Sequence, residues 1–146
     1  MSDISNNPFL GRWKLVSCIG KNGAKNIYPL GEFPFGMLIY TEQYMMVFIS
    51  SNERKKFSTN DIRAIEPEQV MSDFSRFETY CGSYDINFNK KIVTHFVENS
   101  KIPNQIGTQL CRYFSFEQRK LILKSTDSLL LNGEPWLVEL IWDKQE

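Results

Sequence analysis

Residues 83–99 read SYDINFNKKIVTHFVEN, two runs in which apolar and polar side chains alternate. Alternation with a period of two is typical of β-strands that bury one face. A two-residue turn at Asn89-Lys90 pairs the two runs and sets Tyr84 opposite His95 on one buried face. A turn one residue longer would flip the second run and place three other side chains inside: Thr94, Phe96 and Glu98. We favour the shorter turn.

Similar runs flank this hairpin on both sides. We predict eight strands, at 10–19, 36–41, 44–50, 83–88, 91–99, 108–116, 120–125 and 136–143. Their short spacing after residue 83, without intervening helices, favours an antiparallel meander over a parallel sheet. Eight strands can close into a barrel whose interior holds side chains or one small ligand. We therefore expect an all-β fold, an eight-stranded or slightly larger up-and-down antiparallel barrel.

One segment departs from the strand pattern. Its apolar side chains recur at the spacing of one helical face: Val70, Phe74, Phe77 and Cys81. Pro67 suits the first position of a helix and Gly82 suits its end. We predict a single helix around residues 67–80 that plugs one end of the barrel or packs on its wall.

The composition excludes several classes of protein. The 146 residues fit one domain, which we place at 9–146 after a disordered leader at 1–8. The 17 basic and 17 acidic residues cancel, so the basic stripe of a nucleic-acid-binding protein is missing. No apolar run approaches the roughly 18 residues needed to span a bilayer, so we expect no membrane partner.

The cysteines argue against a metal centre and for a reducing compartment. Cys18, Cys81 and Cys111 are odd in number and unrelated in spacing, unlike a disulfide framework or a zinc site. We expect a cytoplasmic protein with reduced thiols. We find no phosphate-binding glycine loop and no nucleophile elbow, so we expect no cofactor.

Arg112 is the most informative polar residue. A turn at 117–118 would put it on the inward face of 108–116, together with Phe114. A buried guanidinium keeps its charge and needs a partner. Two kinds of partner stay open: an internal carboxylate, Glu98 or Glu139, or an oxygen of a ligand.

His95 is the only histidine in the chain. It is either a neutral core histidine hydrogen-bonded to Tyr84, or a ligand donor or general base. Tyr40 and Trp142 are predicted to line the interior. Asn104 is predicted to touch a ligand from a loop at the barrel mouth.

The hairpin 36–50, GMLIYTEQYMMVFIS, is apolar on both faces. One face packs into the barrel, and the other needs a second cover. The predicted helix could supply it, or a partner subunit could. We therefore expect a homodimer through the hairpin unless segments 24–35 and 51–66 fold over the same surface.

Several segments, in order and spacing, resemble a known family. They are GRW (11–13), PLGEFPFGMLIYT (29–41), YCGSYDI (80–86), VTHFVENS (93–100), PNQIGTQLCRYF (103–114) and LIWD (140–143). Together they resemble the bacterial and fungal lipocalin-like domain family. The resemblance implies a calycin-type barrel with a ligand cavity, closed at its base by Trp13. It also implies that a basic residue of the last strand, here Lys144, packs over that tryptophan.

These observations lead to one functional hypothesis and two alternatives. We expect the barrel to bind a small, mostly apolar or aromatic molecule, with Tyr84, His95 and Arg112 as polar anchors. The first alternative is an isomerase or cyclase in which His95 or Tyr84 moves a proton and Arg112 stabilises an oxyanion. The second is a structural or interaction protein without a cavity. The sequence leaves open whether the protein is an enzyme.

Overall fold

The computed structural model describes residues 6–146 of the chain as an antiparallel sheet that closes on itself. The strands are β1 (Gly11–Asn22), β2 (Lys25–Ile27), β3 (Phe35–Tyr40), β4 (Tyr44–Ser50), β5 (Phe77–Asn87), β6 (Ile92–Ser100), β7 (Gln109–Glu117), β8 (Lys120–Ser125), β9 (Leu129–Leu131) and β10 (Glu134–Lys144). One α-helix, α1, spans Pro67–Phe74, and a short 3-10 helix spans Pro103–Gln105.

Eight of these strands form the barrel, which confirms the predicted fold class. They are ordered β1-β3-β4-β5-β6-β7-β8-β10, and pairing of β1 with β10 closes the circle. The short strands β2 and β9 extend this barrel as hairpin partners of β1 and β10. β2 lies within segment 24–35, for which no strand was predicted.

The register of the β5–β6 hairpin is as predicted. Tyr84 pairs with His95 and Ile86 pairs with Val93. The turn spans residues 88–91 instead of the predicted Asn89-Lys90, so Phe88, which alternation with Tyr84 would place inside, lies in the turn and is exposed.

The β7–β8 hairpin corrects a predicted turn. Its two-residue turn is Gln118-Arg119, not 117–118, so Arg112 pairs with Ser125 and Phe114 pairs with Leu123. Gln118 adopts a positive φ of 58°, as a tight hairpin turn requires. A slip of two residues keeps every side chain on the same face. The predicted inward face, with Arg112 and Phe114 on it, therefore survives the correction.

The helix is confirmed but shorter than predicted. It ends at Phe74, and Phe77 already pairs with Ser50 in the β4–β5 ladder. Val70 and Phe74 remain exposed, so the predicted apolar stripe is not the face that the helix buries. Its buried residue is Asp73, whose carboxylate accepts two hydrogen bonds from Arg54, at 2.9 and 2.7 Å. Pairing along β5 therefore outweighed the helical spacing of residues 77–81.

The core is one cluster of buried side chains that includes Trp13, Tyr40 and Trp142. The Trp13 indole donates to the carbonyl of Phe9, and the Lys144 ammonium lies 4.8 Å from the centre of the Trp13 rings, as the resemblance implied. Of the predicted leader, residues 1–5 lie outside the described residues. Asn7 is described, and its side chain accepts from the backbone of Phe9 and donates to the hydroxyl of Tyr84.

Candidate functional site in the barrel interior

Inward-facing positions of four strands bring the candidate polar residues together. Tyr40 comes from β3, Tyr80 and Tyr84 from β5, His95 from β6 and Arg112 from β7. On β10, Trp142 is almost fully buried.

His95 forms the centre of a hydrogen-bonded chain. Its Nε2 lies 2.6 Å from the Tyr40 hydroxyl, and its Nδ1 lies 2.7 Å from the Tyr80 hydroxyl. The predicted bond to Tyr84 is wrong, because the Tyr84 hydroxyl donates to the carbonyl of Thr41 at 2.6 Å. Tyr84 contacts the cluster through its ring, which meets the Tyr40 ring edge to face at 4.8 Å.

Burial makes His95 neutral. His95 is only 2% exposed, and desolvation together with the smaller effect of the Arg112 charge lowers its pKa from the ordinary value of 6.5 to about 3. Desolvation also raises the pKa of Tyr40 and of Tyr80, so both hydroxyls keep their protons. The chain of three groups is therefore uncharged at neutral pH.

Arg112 has no carboxylate partner within residues 6–146. Its Nη1 donates to the carbonyl of Cys111 at 2.9 Å. The internal partners suggested by the sequence are placed elsewhere: Glu139 lies 3.6 Å from the ammonium groups of both Lys21 and Lys124, and Glu98 is exposed. Arg112 lies between Val93 and Ser125 on neighbouring strands. Its positive charge acts to lower the pKa of Tyr40, of Tyr80 and of His95.

The remaining predicted residues fall into two groups. Phe114 packs edge to face on Phe9 at 5.0 Å, which places it in the aromatic core near Trp13. The Trp142 indole N–H is buried and has no hydrogen-bond partner within the described chain. Asn104 is exposed on the 3-10 helix between β6 and β7, outside this cluster.

Tyr80 was missed because the sequence assigned it to the end of the helix. The signal that could have found it is its position in strand alternation with Tyr84, since residues 80 and 84 of one strand face the same side. A β-bulge at Cys81-Gly82 shifts the pairing with β6 by one residue but leaves both tyrosines inward.

A comparison with family models agrees with this fold. The model of the lipocalin-like domain family matches residues 10–145. The chain belongs to the lipocalin-like domain family. Neither the curated proteins nor the solved structures compared with this lipocalin-like domain contain a match.

The surface of this lipocalin-like domain carries two hollows. One, of about 270 Å³, lies on the outer wall beside Ile39, Met46 and Cys81. The other, of about 490 Å³, lies between the loop at Leu30 and Arg76, just after α1, and has mostly polar walls.

Within residues 6–146, no helix is long and apolar enough to cross a membrane. In the same residues, no group of His, Cys, Asp and Glu side chains could hold a metal ion.

Proposed function

We propose that the barrel binds a small, mostly apolar or aromatic molecule that carries a carboxylate, phenolate or carbonyl oxygen. Lipocalin-like barrels suit such a role, since a closed eight-stranded sheet can enclose one small ligand. Of the three predicted anchors, we assign Arg112 as the polar contact, His95 as the group that orients the tyrosine hydroxyls, and Tyr84 as a ring contact, with Tyr40, Phe114 and Trp142 as aromatic lining. Asn104 is proposed as a contact at the mouth.

The observation that carries this proposal is the missing counter-charge of Arg112. Arg112 carries a partly buried guanidinium on an inward face that donates to the carbonyl of Cys111, and its other N–H groups need an acceptor, from water or from a ligand. Neither Glu98 nor Glu139 supplies that acceptor. A ligand oxygen would do so. The surrounding side chains, such as Val93 and Leu123, would meet its apolar body.

The roles of His95 and Tyr84 follow from their hydrogen bonds. His95 is held between two tyrosines, so it orients their hydroxyls and presents no free nitrogen. The hydroxyl of Tyr84 is already bonded to Thr41, so Tyr84 would contact a ligand through its ring. A histidine with a pKa of about 3 is a poor general base at neutral pH, which disfavours the isomerase or cyclase alternative.

A matched pair of fluorescent probes tests the proposal. 1-Anilinonaphthalene-8-sulfonate and N-phenyl-1-naphthylamine share one aromatic body, and only the first carries an anionic group. Arg112→Leu should weaken binding of the sulfonate by about 1.5–3 kcal/mol, or roughly ten- to 150-fold, and leave the neutral probe unchanged. Arg112→Lys should recover part of the loss.

Lys124→Leu is the control, since it removes one positive charge from the outer face of the neighbouring strand β8. It should leave both affinities as they are. Equal binding of the sulfonate to wild-type protein and Arg112→Leu would refute the anchor.

We also propose a homodimer through the hairpin of β3 and β4. Its outward side chains form what we call the outer apolar face: Phe35, Met37, Ile39, Tyr44, Met46 and Phe48. Met46 is 56% exposed and Tyr44 is 55% exposed, so α1 does not cover this face. A two-fold axis would bury the same patch on both subunits.

Light scattering tests the dimer. Wild-type protein should have twice the 17.1 kDa mass of one chain, and Met46→Lys should halve it. Met71→Lys, an equally drastic change on the exposed surface of α1, should leave the mass unchanged. A wild-type mass of 17.1 kDa would contradict the dimer.

A cytoplasmic location is the last part of the proposal. All three cysteines are free thiols, and burial raises the pKa of Cys18 to about 12, which keeps that thiol protonated and unreactive. Alkylation of the unfolded protein taken from its own cells should label three thiols by mass. Fewer labels, restored by a reductant, would point to an oxidising compartment.

A further inference from the structure

The three polar groups Tyr40, His95 and Tyr80 hold one more hydrogen than their mutual bonds use. Each hydroxyl carries one hydrogen, and the neutral imidazole carries one more. Two hydrogen bonds join the three groups, so two of the three hydrogens are engaged. One tyrosine must donate to the bare ring nitrogen, and the other must accept from the ring N–H. The hydroxyl hydrogen of the accepting tyrosine is therefore left over.

Residue exposure favours Tyr80 over Tyr40 as the tyrosine that carries the surplus hydrogen. Tyr40 is 2% exposed, and its ring is packed against Phe9 at 5.1 Å and Tyr84 at 4.8 Å. A hydroxyl hydrogen without an acceptor in that setting would be costly. Tyr80 is only half-buried and lies three residues from the start of β5. The favoured arrangement has Tyr40 donating to Nε2 and Nδ1–H donating to Tyr80.

The other interior groups with hydrogens to spare are donors as well. Arg112 uses one of its five N–H groups, on Cys111, and the Trp142 indole N–H has no partner within residues 6–146. The acceptor capacity left among these groups is that of the tyrosine hydroxyl oxygens, and none of these groups has a carboxylate. A ligand group that also needs to donate would find no matching carbonyl or carboxylate among these residues.

We propose that the Tyr80 hydroxyl, oriented by the Nδ1–H form of His95, is a second donor to the ligand oxygen beside Arg112. The interior then selects a group that only accepts hydrogen bonds, such as an ionised acid, over an alcohol or amide of the same shape. This inference rests on the proposed binding function and adds a specificity-determining residue to it.

The tautomer of His95 is the first test, and it needs no ligand. His95 is the only histidine, so the ¹⁵N signals of its ring are unambiguous in a uniformly labelled sample. Long-range ¹H–¹⁵N correlation should show a protonated Nδ1 and a bare Nε2 at neutral pH. A protonated Nε2 would place the surplus hydrogen on Tyr40 and overturn the inference.

The second test removes the Tyr80 hydroxyl. Tyr80→Phe should weaken 1-anilinonaphthalene-8-sulfonate about five- to tenfold, with N-phenyl-1-naphthylamine unchanged. Tyr113→Phe makes the same change on the exposed outer face of β7 and should alter neither affinity. Near-ultraviolet circular dichroism checks that both variants keep the wild-type fold.

The outcomes separate the two levels of the proposal. If Arg112→Leu weakens the sulfonate and Tyr80→Phe does not, the second donor is wrong and the binding function stands. If neither variant changes the affinity, or the sulfonate does not bind wild-type protein, both are wrong.

Discussion

Between pH 7 and pH 5, acid should destabilise this barrel chiefly through one side chain, His95. Its pKa is about 3 in the folded chain, against an ordinary value of 6.5 that the unfolded chain should show. The unfolded state therefore binds a proton between these values that the folded state excludes. The part of the free energy of unfolding that depends on neutral His95 is fully present above about pH 6.5 and is lost progressively as the pH falls toward 3.

The size of this effect follows from the two pKa values. Each pH unit well inside the window lowers the free energy of unfolding by about 1.4 kcal/mol. Between pH 7 and pH 5 the loss attributable to His95 comes to about 2 kcal/mol. The charged group facing the imidazole is Arg112, and Tyr40 and Tyr80 stay protonated throughout this range.

Urea unfolding at pH 7 and pH 5, followed by tryptophan fluorescence, measures the loss. His95→Gln is the control variant, since its amide has a donor and an acceptor but does not titrate. The free energy of unfolding of wild-type protein should fall about 2 kcal/mol more than that of His95→Gln over this interval. Equal losses in the two proteins would refute the sealed, neutral histidine.

Two further changes test the fold around the site. Gly82→Ala should lower the free energy of unfolding by about 3 kcal/mol in urea titration, because the added Cβ would lie 1.8 Å from the carbonyl oxygen of Phe96. A loss below about 1 kcal/mol would contradict the bulge geometry. Asp73→Asn should cost about 1 kcal/mol at pH 7 through the lost ion pair with the partly exposed Arg54, which holds the pKa of Asp73 below its ordinary value. This cost should shrink as the pH falls below 3.8 and the wild-type carboxyl takes up a proton, and a cost independent of pH would count against the ion pair.

Local alternation was enough to predict the barrel and one of its inward faces. The register of Tyr84 against His95 depends only on a short turn and a period of two, both visible in the sequence. Arg112 was placed inward in spite of a turn misplaced by one residue, since the resulting slip of two positions conserves the face.

The contacts across the barrel could not be predicted in this way. Tyr40 and His95 are 55 residues apart on non-adjacent strands, and nothing in a linear pattern gives the distance between them. Tyr80 was assigned to a helix because Phe74, Phe77 and Cys81 happen to fall at helical spacing. Pairing of β5 with β4, a long-range interaction, outweighed that local preference.

A crystal structure with bound 1-anilinonaphthalene-8-sulfonate tests the proposed site most directly. The sulfonate oxygens should lie within hydrogen-bond distance of the Arg112 guanidinium and the Tyr80 hydroxyl, with the naphthyl group inside the barrel. The competing location is the 270 Å³ hollow beside Ile39 and Met46 on the outer wall. A probe bound only there, over an interior filled by its own side chains, would contradict the binding function.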